Sequence, residues 1–340
     1  MKRTILYVVL AFIVAPIFVS CYQSHKKKLD LAYALVESRP DSALALMKHI
    51  DQEGLSKEEM AKYALTYYIA QDKSGLDLDN DSLIRIAYDW YEGHQEDSLY
   101  VLCLNYMGKF YLLVDSMEQA KSCLEKAYFI SDSLHKMNVK RLVLDKLIEV
   151  EEQLEPYKAL RYAKDMLKMY DSMANVTIYN KVAARLRLGE NFFYVGSLQH
   201  ALEEERKAYR MAMKAGDSNL LSYVRQNLAS TFEEIGEKDS CLYYARLAYD
   251  LNAANRFSCL LTFASAYISV DSLNQAFSLL NQAMPKTAED RYSVFYFQSQ
   301  AAMKAHDFKS AKSFSDSAYH YLEDMYRTAL QGKAAYYTSF

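Results

Sequence analysis

The sequence predicts an all-α fold, in which antiparallel helix hairpins repeat along the chain and stack into a solenoid. Its 340 residues include only nine Gly and four Pro, too few for the many turns of a sheet protein. Apolar residues recur at i, i+3, i+4 and i+7 through most of the chain, which is the spacing of one helix face. Small residues also recur at a nearly constant step. These three observations favour helices of similar length, packed in a regular array.

The first 20 residues are typical of a signal peptide. Lys2 and Arg3 form a basic start, Ile5 to Val19 form an uncharged run of 15 residues, and Ser20 stands just before Cys21. A membrane-spanning helix needs about 20 apolar residues, so this run is short. Pro16 also suits a cleaved peptide better than a stable helix. Two alternatives remain open, namely an uncleaved N-terminal anchor and a cytosolic protein with a buried Cys21.

The residues "FVSC", ending at Cys21, resemble the lipobox of bacterial lipoproteins, although Phe18 stands where that family usually has Leu, Val or Ile. The resemblance implies that residues 1–20 are removed, that Cys21 is acylated and that residues 21–28 form a basic tether. Lys26, Lys27 and Lys28 then lie against anionic head groups or in solvent. The resemblance therefore implies a membrane-anchored lipoprotein of a Gram-negative envelope. Some lipoproteins are exported to the cell surface by acidic residues soon after the cysteine, and none occurs here before Asp30, so we expect the protein to face the periplasm.

Residues 29–340 are predicted to form about eight hairpins, of which the first and last are atypical. In the copy "LNYMGKFYLLVDSMEQAKSCLEKA", one face of the first helix has Leu104, Met107, Gly108 and Tyr111, and the second helix has Ala120, Leu124 and Ala127. Gly108 and Ala120 would let the two helices approach closely. The small residue of the second helix recurs at steps of 39, 42, 40, 35 and 35, at Ala120, Ala159, Ala201, Cys241, Ala276 and Ala311.

This pattern resembles the tetratricopeptide repeat (TPR), whose period is about 34 residues. The resemblance covers residues 97–330 well and residues 29–92 loosely, where "RPDSALALMKHI" looks like the second helix of an atypical first hairpin. It implies a right-handed superhelix with a concave face. In this family the inner face of the first helices often binds an extended or helical peptide.

The resemblance therefore implies that the inner face of the first helices of these repeats is a peptide groove. Its candidate residues are Asn105, Lys109, Arg187, Glu190, Tyr194, Tyr223, Gln226, Asn227, Ser230, Tyr296 and Gln300. Tyrosines and amides there could bind backbone and apolar side chains together. The alternative is that most of the 30 tyrosines pack between helices. The family's Lys and Asn clamp for a C-terminal carboxylate is incomplete, because Arg187 and Asn227 fall near it but its lysines are missing.

The dipeptide Asp-Ser occurs ten times, and we predict that its aspartate is a helix N-cap. Aspartate accepts a bond from an otherwise unpaired backbone N–H, and its charge suits the positive end of a helix. Calcium ligation and serine phosphorylation are alternatives that the spacing does not support. The aspartates are at positions 41, 81, 97, 115, 132, 171, 217, 239, 271 and 316.

Neither catalytic nor cofactor-binding motifs are found, so we predict a non-enzymatic protein without a metal site or a cofactor. His200 lies one turn from Glu203 and Glu204, which a solvated helix face explains. Lys and Arg are scattered and the net charge is −3, so no nucleic-acid partner is expected. Disulfides among Cys103, Cys123, Cys241 and Cys259 remain open, and Cys241 replaces an alanine at a small buried position.

The leading functional prediction is a lipid-anchored TPR scaffold that binds a peptide or protein partner in the cell envelope. The alternative is a sensory or accessory module. The chain resembles the extracytoplasmic repeat half of bacterial membrane-bound TPR regulators, which add a spanning helix, a coiled coil and a DNA-binding domain. After residue 20 it has no apolar run of 18 residues, so this alternative makes it a truncated relative or a partner that binds the same cue.

Overall fold

The structure is a computed structural model that describes residues 26–76, 78, 81–94, 98–135, 137–251 and 253–338. Across these ranges the chain forms sixteen helices and no strand. The predicted all-α class of antiparallel helix hairpins is confirmed. The chain divides into two compact units, residues 1–146 and 147–340, and the boundary falls inside helix α7.

The first unit is built from six helices and the start of a seventh. Each helix from α2 to α5 packs against the next one along the chain. The helices are α1 (26–35), α2 (Pro40–Met47), α3 (Lys57–Lys73), α4 (Ser82–Tyr91), α5 (Ser98–Leu113), α6 (Met117–Ser133) and α7 (Met137–Leu154). The segment "RPDSALALMKHI" contains α2, as expected, with Pro40 at the first helical position, where no backbone donor is lost.

The second unit contains the end of α7 and nine further helices. From α8 to α16 each helix packs against the next, and the odd-numbered helices α9, α11, α13 and α15 also contact one another in sequence. Their bounds are α8 (Pro156–Ser172), α9 (Ile178–Tyr194), α10 (Leu198–Ala215), α11 (Ser218–Ile235), α12 (Lys238–Tyr249), α13 (Arg256–Ser269), α14 (Leu273–Leu280), α15 (Ala288–Lys304) and α16 (Phe308–Thr338).

The predicted small residues of the second helices are all buried, which confirms the repeat pattern. They are Ala120, Ala159, Ala201, Cys241, Ala276 and Ala311. Gly108 contacts the second helix more directly, because a Cβ atom there would lie 2.6 Å from Cγ of Leu124. Gly189 has the same role, with Cγ of Glu205 at 3.1 Å from such an atom. The small residues therefore set the distance between the helices of each hairpin.

The predicted role of the Asp-Ser pairs as N-caps is confirmed at Asp217 and wrong at most other positions. Asp217 Oδ1 accepts from the Leu220 amide at 3.0 Å. Asp81 is the N-cap of α4 but makes no such bond and instead pairs with Arg85. The aspartates at 41, 132, 171, 239 and 316 lie within helices, and the one at 97 is outside the described residues.

Asp115 and Asp271 form turns rather than caps. Both have a left-handed backbone, with φ of 53° and 60°, at the bend between the first and second helix of a hairpin. Gly196 and Gly236 occupy the equivalent bends with φ of 73° and 89°. Aspartate tolerates this region better than most residues, because its short polar side chain bonds locally. The serine that follows each aspartate is the N-cap residue without a side-chain bond.

Side-chain caps are found mainly where Ser or Thr precedes a first helix. Ser56 and Thr287 each form a capping box, with Glu59 and Asp290 respectively. Thr177 caps α9 through the Asn180 amide at 3.2 Å. These caps satisfy backbone donors that a helix start leaves unpaired.

The predicted signal peptide and Cys21 lie outside the described residues. Lys26, Lys27 and Lys28, assigned from sequence to the tether, already belong to α1. No helix in the described ranges is long and apolar enough to cross a membrane.

None of the four described cysteines forms a disulfide. Cys103, Cys241 and Cys259 are buried, and Cys123 is half-buried. Burial raises the pKa of the Cys241 thiol to about 12 and that of the Cys123 thiol to about 11. Such thiols stay protonated and unreactive near neutral pH.

Candidate functional site

In the second unit, a row of polar side chains links the first helices of successive hairpins. Arg187 of α9 lies between two carboxylates, at 3.4 Å from Glu152 of α7 and 3.7 Å from Glu190 of its own helix. Asn227 of α11 donates to Glu190 Oε1 at 2.9 Å. We call these four residues the polar row. The sequence predicted three of them, Arg187, Glu190 and Asn227, as groove residues, and the structure brings those three together.

Buried Asn191 binds two members of the polar row. Its Nδ2 donates to Glu152 Oε1 and to the Arg187 carbonyl, both at 2.8 Å. Burial raises the pKa of the Glu152 carboxyl above its usual range, while the Arg187 charge and the Asn191 amide oppose that rise. The Glu152 carboxylate is thus held in place by partners from α9.

A second set of bonds joins α11 to α13. Gln226 donates to the Ser258 hydroxyl and accepts from Asn255 Nδ2 at 2.9 Å. Ser265 donates to Glu233 Oε1 at 2.7 Å. The three first helices α9, α11 and α13 are therefore held in register by side-chain bonds as well as by apolar packing.

Two predicted tyrosines remain open to a partner on the helices of the polar row. Tyr194 of α9 is 58% exposed and Tyr223 of α11 is 45% exposed. Both rings offer apolar area and a hydroxyl. The Tyr194 hydroxyl also lies close enough to Glu152, Glu190 and Arg187 to interact with their charges. Ser230 of α11 is half-buried.

The candidates on α15 are exposed but lie apart from the polar row. Tyr296 stacks on Tyr292 with ring centroids 6.0 Å apart, and Gln300 follows one turn later. Neither side chain has a hydrogen bond to the polar row. They extend the exposed surface of the first helices without joining its network.

The two candidates in the first unit do not present free polar groups. Asn105 is only 6% exposed, so its amide is packed inside the protein and is not accessible to a ligand. Lys109 pairs with Asp72 of α3, which anchors its ammonium to a neighbouring hairpin. The expectation of an open groove at Asn105 is therefore corrected by its burial.

Sequence reasoning missed Glu152, Asn191, Glu233 and Ser265. Each pairs with a residue roughly one repeat away, with separations of 39 for Asn191 and Glu152 and 32 for Ser265 and Glu233. A search for polar pairs at the repeat spacing on first helices would have found them.

The histidine considered for metal binding has other contacts. His200 Nδ1 is 2.9 Å from the Ser197 hydroxyl, and its ring stacks on Phe192 at 5.1 Å. Glu203 and Glu204 pair with Lys207, each at 2.7 Å. Among the residues that the structure describes, no group of three or more His, Cys, Asp or Glu could hold a metal ion.

No protein-family model and no curated protein matches the chain, whereas several solved structures do. The apo form of RapI has a TM-score of 0.66 at 14% identity, over 88% of this chain and 86% of RapI. A Rap protein complexed with Competence and Sporulation Factor has a TM-score of 0.60 at 14% identity, over 91% of this chain and 99% of that one.

A third similar structure is a signal transduction ATPase with numerous domains from Pyrococcus horikoshii, which has a tetratricopeptide repeat sensor. Its TM-score is 0.61 at 13% identity, over 90% of this chain and 47% of that one. At these identities the likeness shows the fold alone, a TPR-like helical repeat.

Proposed function

We propose that this protein is a non-enzymatic TPR-like scaffold whose polar row, with Tyr194 and Tyr223, binds a peptide segment. The observation that supports this most is the pair of exposed tyrosines on helices whose charged groups are already fixed by hydrogen bonds. Fixed polar groups lose little freedom on binding, so more of the contact energy appears as affinity. A Rap protein of similar fold is known in complex with Competence and Sporulation Factor, which is consistent with this proposal.

The charges near the polar row favour a segment that donates hydrogen bonds. Arg187 is flanked by Glu152 and Glu190, so two carboxylates stand against one guanidinium. Because acceptors outnumber donors there, we infer that the ligand is an extended peptide with Lys or Arg near an apolar residue.

This function predicts that tyrosine truncation weakens peptide binding. The probe is an array of acetylated, amidated decapeptides that differ in their Lys, Arg, Asp and Glu content, applied to the full chain. The best basic peptide should bind saturably. Tyr223→Ala should lower its affinity about tenfold, as expected for an aromatic side chain that becomes buried when the peptide binds. Glu190→Gln should also weaken binding, because it removes one of the carboxylates that favour a basic ligand.

The matched control is Tyr157→Ala. Tyr157 is an exposed tyrosine on second helix α8, outside the polar row, so its truncation should leave peptide affinity unchanged. Loss of binding in this variant to the same degree as in Tyr223→Ala would argue against the proposal. So would the lack of any saturable basic peptide.

We also propose that the scaffold is anchored by lipid on Cys21, after removal of residues 1–20, at a Gram-negative membrane facing the periplasm. The basic start, the short apolar run and the Ser-Cys step support this. Intact-mass measurement of membrane-extracted protein should find diacylglycerol on a chain that begins at Cys21. A mass equal to the unmodified full chain would contradict it.

A sensory or accessory role is the second candidate. The observation in its favour is that the Pyrococcus horikoshii protein, which is similar to this chain over 47% of its length, has a tetratricopeptide repeat sensor. A sensory role would use the same peptide site but require a signalling partner. Cross-linking of the membrane-extracted chain should then recover a protein with a spanning helix and a DNA-binding domain.

A further inference from the structure

We propose a second binding site, in a cleft between the second helices α10 and α12. Its ligand is a peptide segment in which an aromatic residue or leucine stands next to a single Asp or Glu. The cleft has a volume of about 640 Å³. Its floor is formed by Leu202, Phe232 and Tyr244, and its walls by Arg206 and Tyr243. A cleft of this size accommodates a large side chain with part of its backbone.

The floor is apolar and its rings are held in a defined stack. Phe232 and Tyr244 lie nearly parallel, with an interplanar angle of 8° and centroids 5.6 Å apart. Tyr209 packs edge-on against Tyr244 at 5.9 Å. Leu202 and Phe232 are buried, whereas Tyr243 on the wall is 59% exposed. The cleft thus offers a rigid aromatic floor with one ring open to a ligand.

Arg206 supplies a cation that forms no ion pair with a carboxylate of the described residues. Its guanidinium lies over the Phe232 ring at 5.8 Å, and no carboxylate of the described residues lies within 4 Å of it. The nearby Glu203 and Glu204 of the same helix are engaged by Lys207, and Glu204 also by Arg185 at 2.8 Å. A guanidinium stacked on a ring keeps its edge N–H groups free for a carboxylate.

The α12 side of the cleft, across from Arg206, limits which anion can bind. Glu237 and Asp239, at the start of α12, also line the cleft. Two carboxylates there repel a ligand with several negative charges, so nucleic acids and phosphorylated segments are disfavoured. A segment with a single Asp or Glu next to its apolar residue pairs with Arg206 and meets less of that repulsion than a ligand with several negative charges.

The test uses methyl NMR on the full chain with three acetylated, amidated hexapeptides. The first is Ser-Gly-Asp-Phe-Gly-Ser, the second has Asn in place of Asp, and the third has Ala in place of Phe. We expect the first to shift the methyl signals of Leu202 and Ile235, which line the cleft. The Asn peptide should bind about fivefold more weakly, the scale of an exposed ion pair. The Ala peptide should also bind more weakly, since it lacks the ring.

Variants of two exposed arginines on α10 separate the cleft from general charge attraction. Arg206→Gln should remove the preference for the Asp peptide over the Asn peptide. Arg210→Gln, which removes the same charge one turn away and outside the cleft, should retain it. The proposal is overturned if Leu202 and Ile235 do not shift at millimolar peptide. It is equally overturned if Arg206→Gln keeps the preference or if Arg210→Gln loses it.

Discussion

Glu205 is a buried acid whose charge the fold does not favour. It lies on α10 between Gly189 of α9 and Thr231 of α11 and is 1% exposed. The Thr231 hydroxyl donates to Oε1 at 2.8 Å, while Oε2 is buried without a partner. Burial raises the pKa of the Glu205 carboxyl to about 7, and the negative charge of Glu190 adds to the rise. The folded protein therefore binds a proton here that the unfolded chain releases at lower pH.

Stability should fall as pH rises from about 4.5 to about 7 because of this residue. The folded state binds more protons in that window, so the free energy of unfolding decreases with pH, by roughly 2 to 3 kcal/mol in total. Glu205→Gln should remove this dependence. Urea unfolding of both proteins between pH 4.5 and 8 should show the variant gaining stability over the wild type as pH increases.

Glu203→Gln is the control on the same helix. Lys207 lowers the pKa of the exposed Glu203 carboxyl, so its contribution appears as pH rises and disappears as pH falls. Glu203→Gln should therefore change the pH dependence of the free energy of unfolding only slightly, and in the opposite direction to Glu205→Gln. A constant difference between Glu205→Gln and wild type across the whole range would contradict the assignment.

At the scale of the hairpin, Gly108 determines how closely α5 and α6 pack. A methyl group there would meet Cγ and both Cδ atoms of buried Leu124 at 2.6 to 3.3 Å. Gly108→Ala should therefore lower the free energy of unfolding by about 1 to 3 kcal/mol through overpacking, although alanine favours helix. Thermal and urea unfolding would measure the loss.

Gly93→Ala provides the comparison, because a methyl group at Gly93 meets only the Trp90 carbonyl at 3.6 Å. This variant should change stability by less than about 0.5 kcal/mol. If Gly108→Ala were equally neutral, α5 and α6 would not be in the close contact described.

At the scale of the whole molecule, stability should be distributed between the two compact units. Repeat proteins are stabilised by contacts between neighbouring repeats, so the effect of a core substitution is greatest close to it. Leu104→Ala in α5 and Leu228→Ala in α11 each remove a fully buried leucine, at a cost of about 2 to 5 kcal/mol.

Hydrogen exchange should locate these losses. Leu104→Ala should reduce amide protection mainly in α3 to α6, and Leu228→Ala mainly in α9 to α13. Equal loss of protection throughout the described helices in both variants would show instead that the chain unfolds as a single cooperative unit.

The sequence by itself determined the helical class, the hairpin repeat and the buried small positions such as Ala201 and Cys241. These follow from periodicity and residue size, which act over one or two helix turns and so can be read locally. The peptide groove stays a prediction, and the structure shows that three of its residues, Arg187, Glu190 and Asn227, contact one another. Asn105, in contrast, is buried and does not lie on an open surface.

Only the tertiary structure decided which polar groups meet. Glu152 and Asn191 are 39 residues apart, and their hydrogen bond depends on how two helices of different hairpins are rotated and spaced. The same holds for the burial of Glu205 and for the position of Arg206 over the Phe232 ring. The left-handed backbone at Asp115 and Asp271 likewise depends on how the two helices of a hairpin meet. An amphipathic pattern specifies which face of a helix is buried, but the angle and distance between helices come from the packing of whole hairpins.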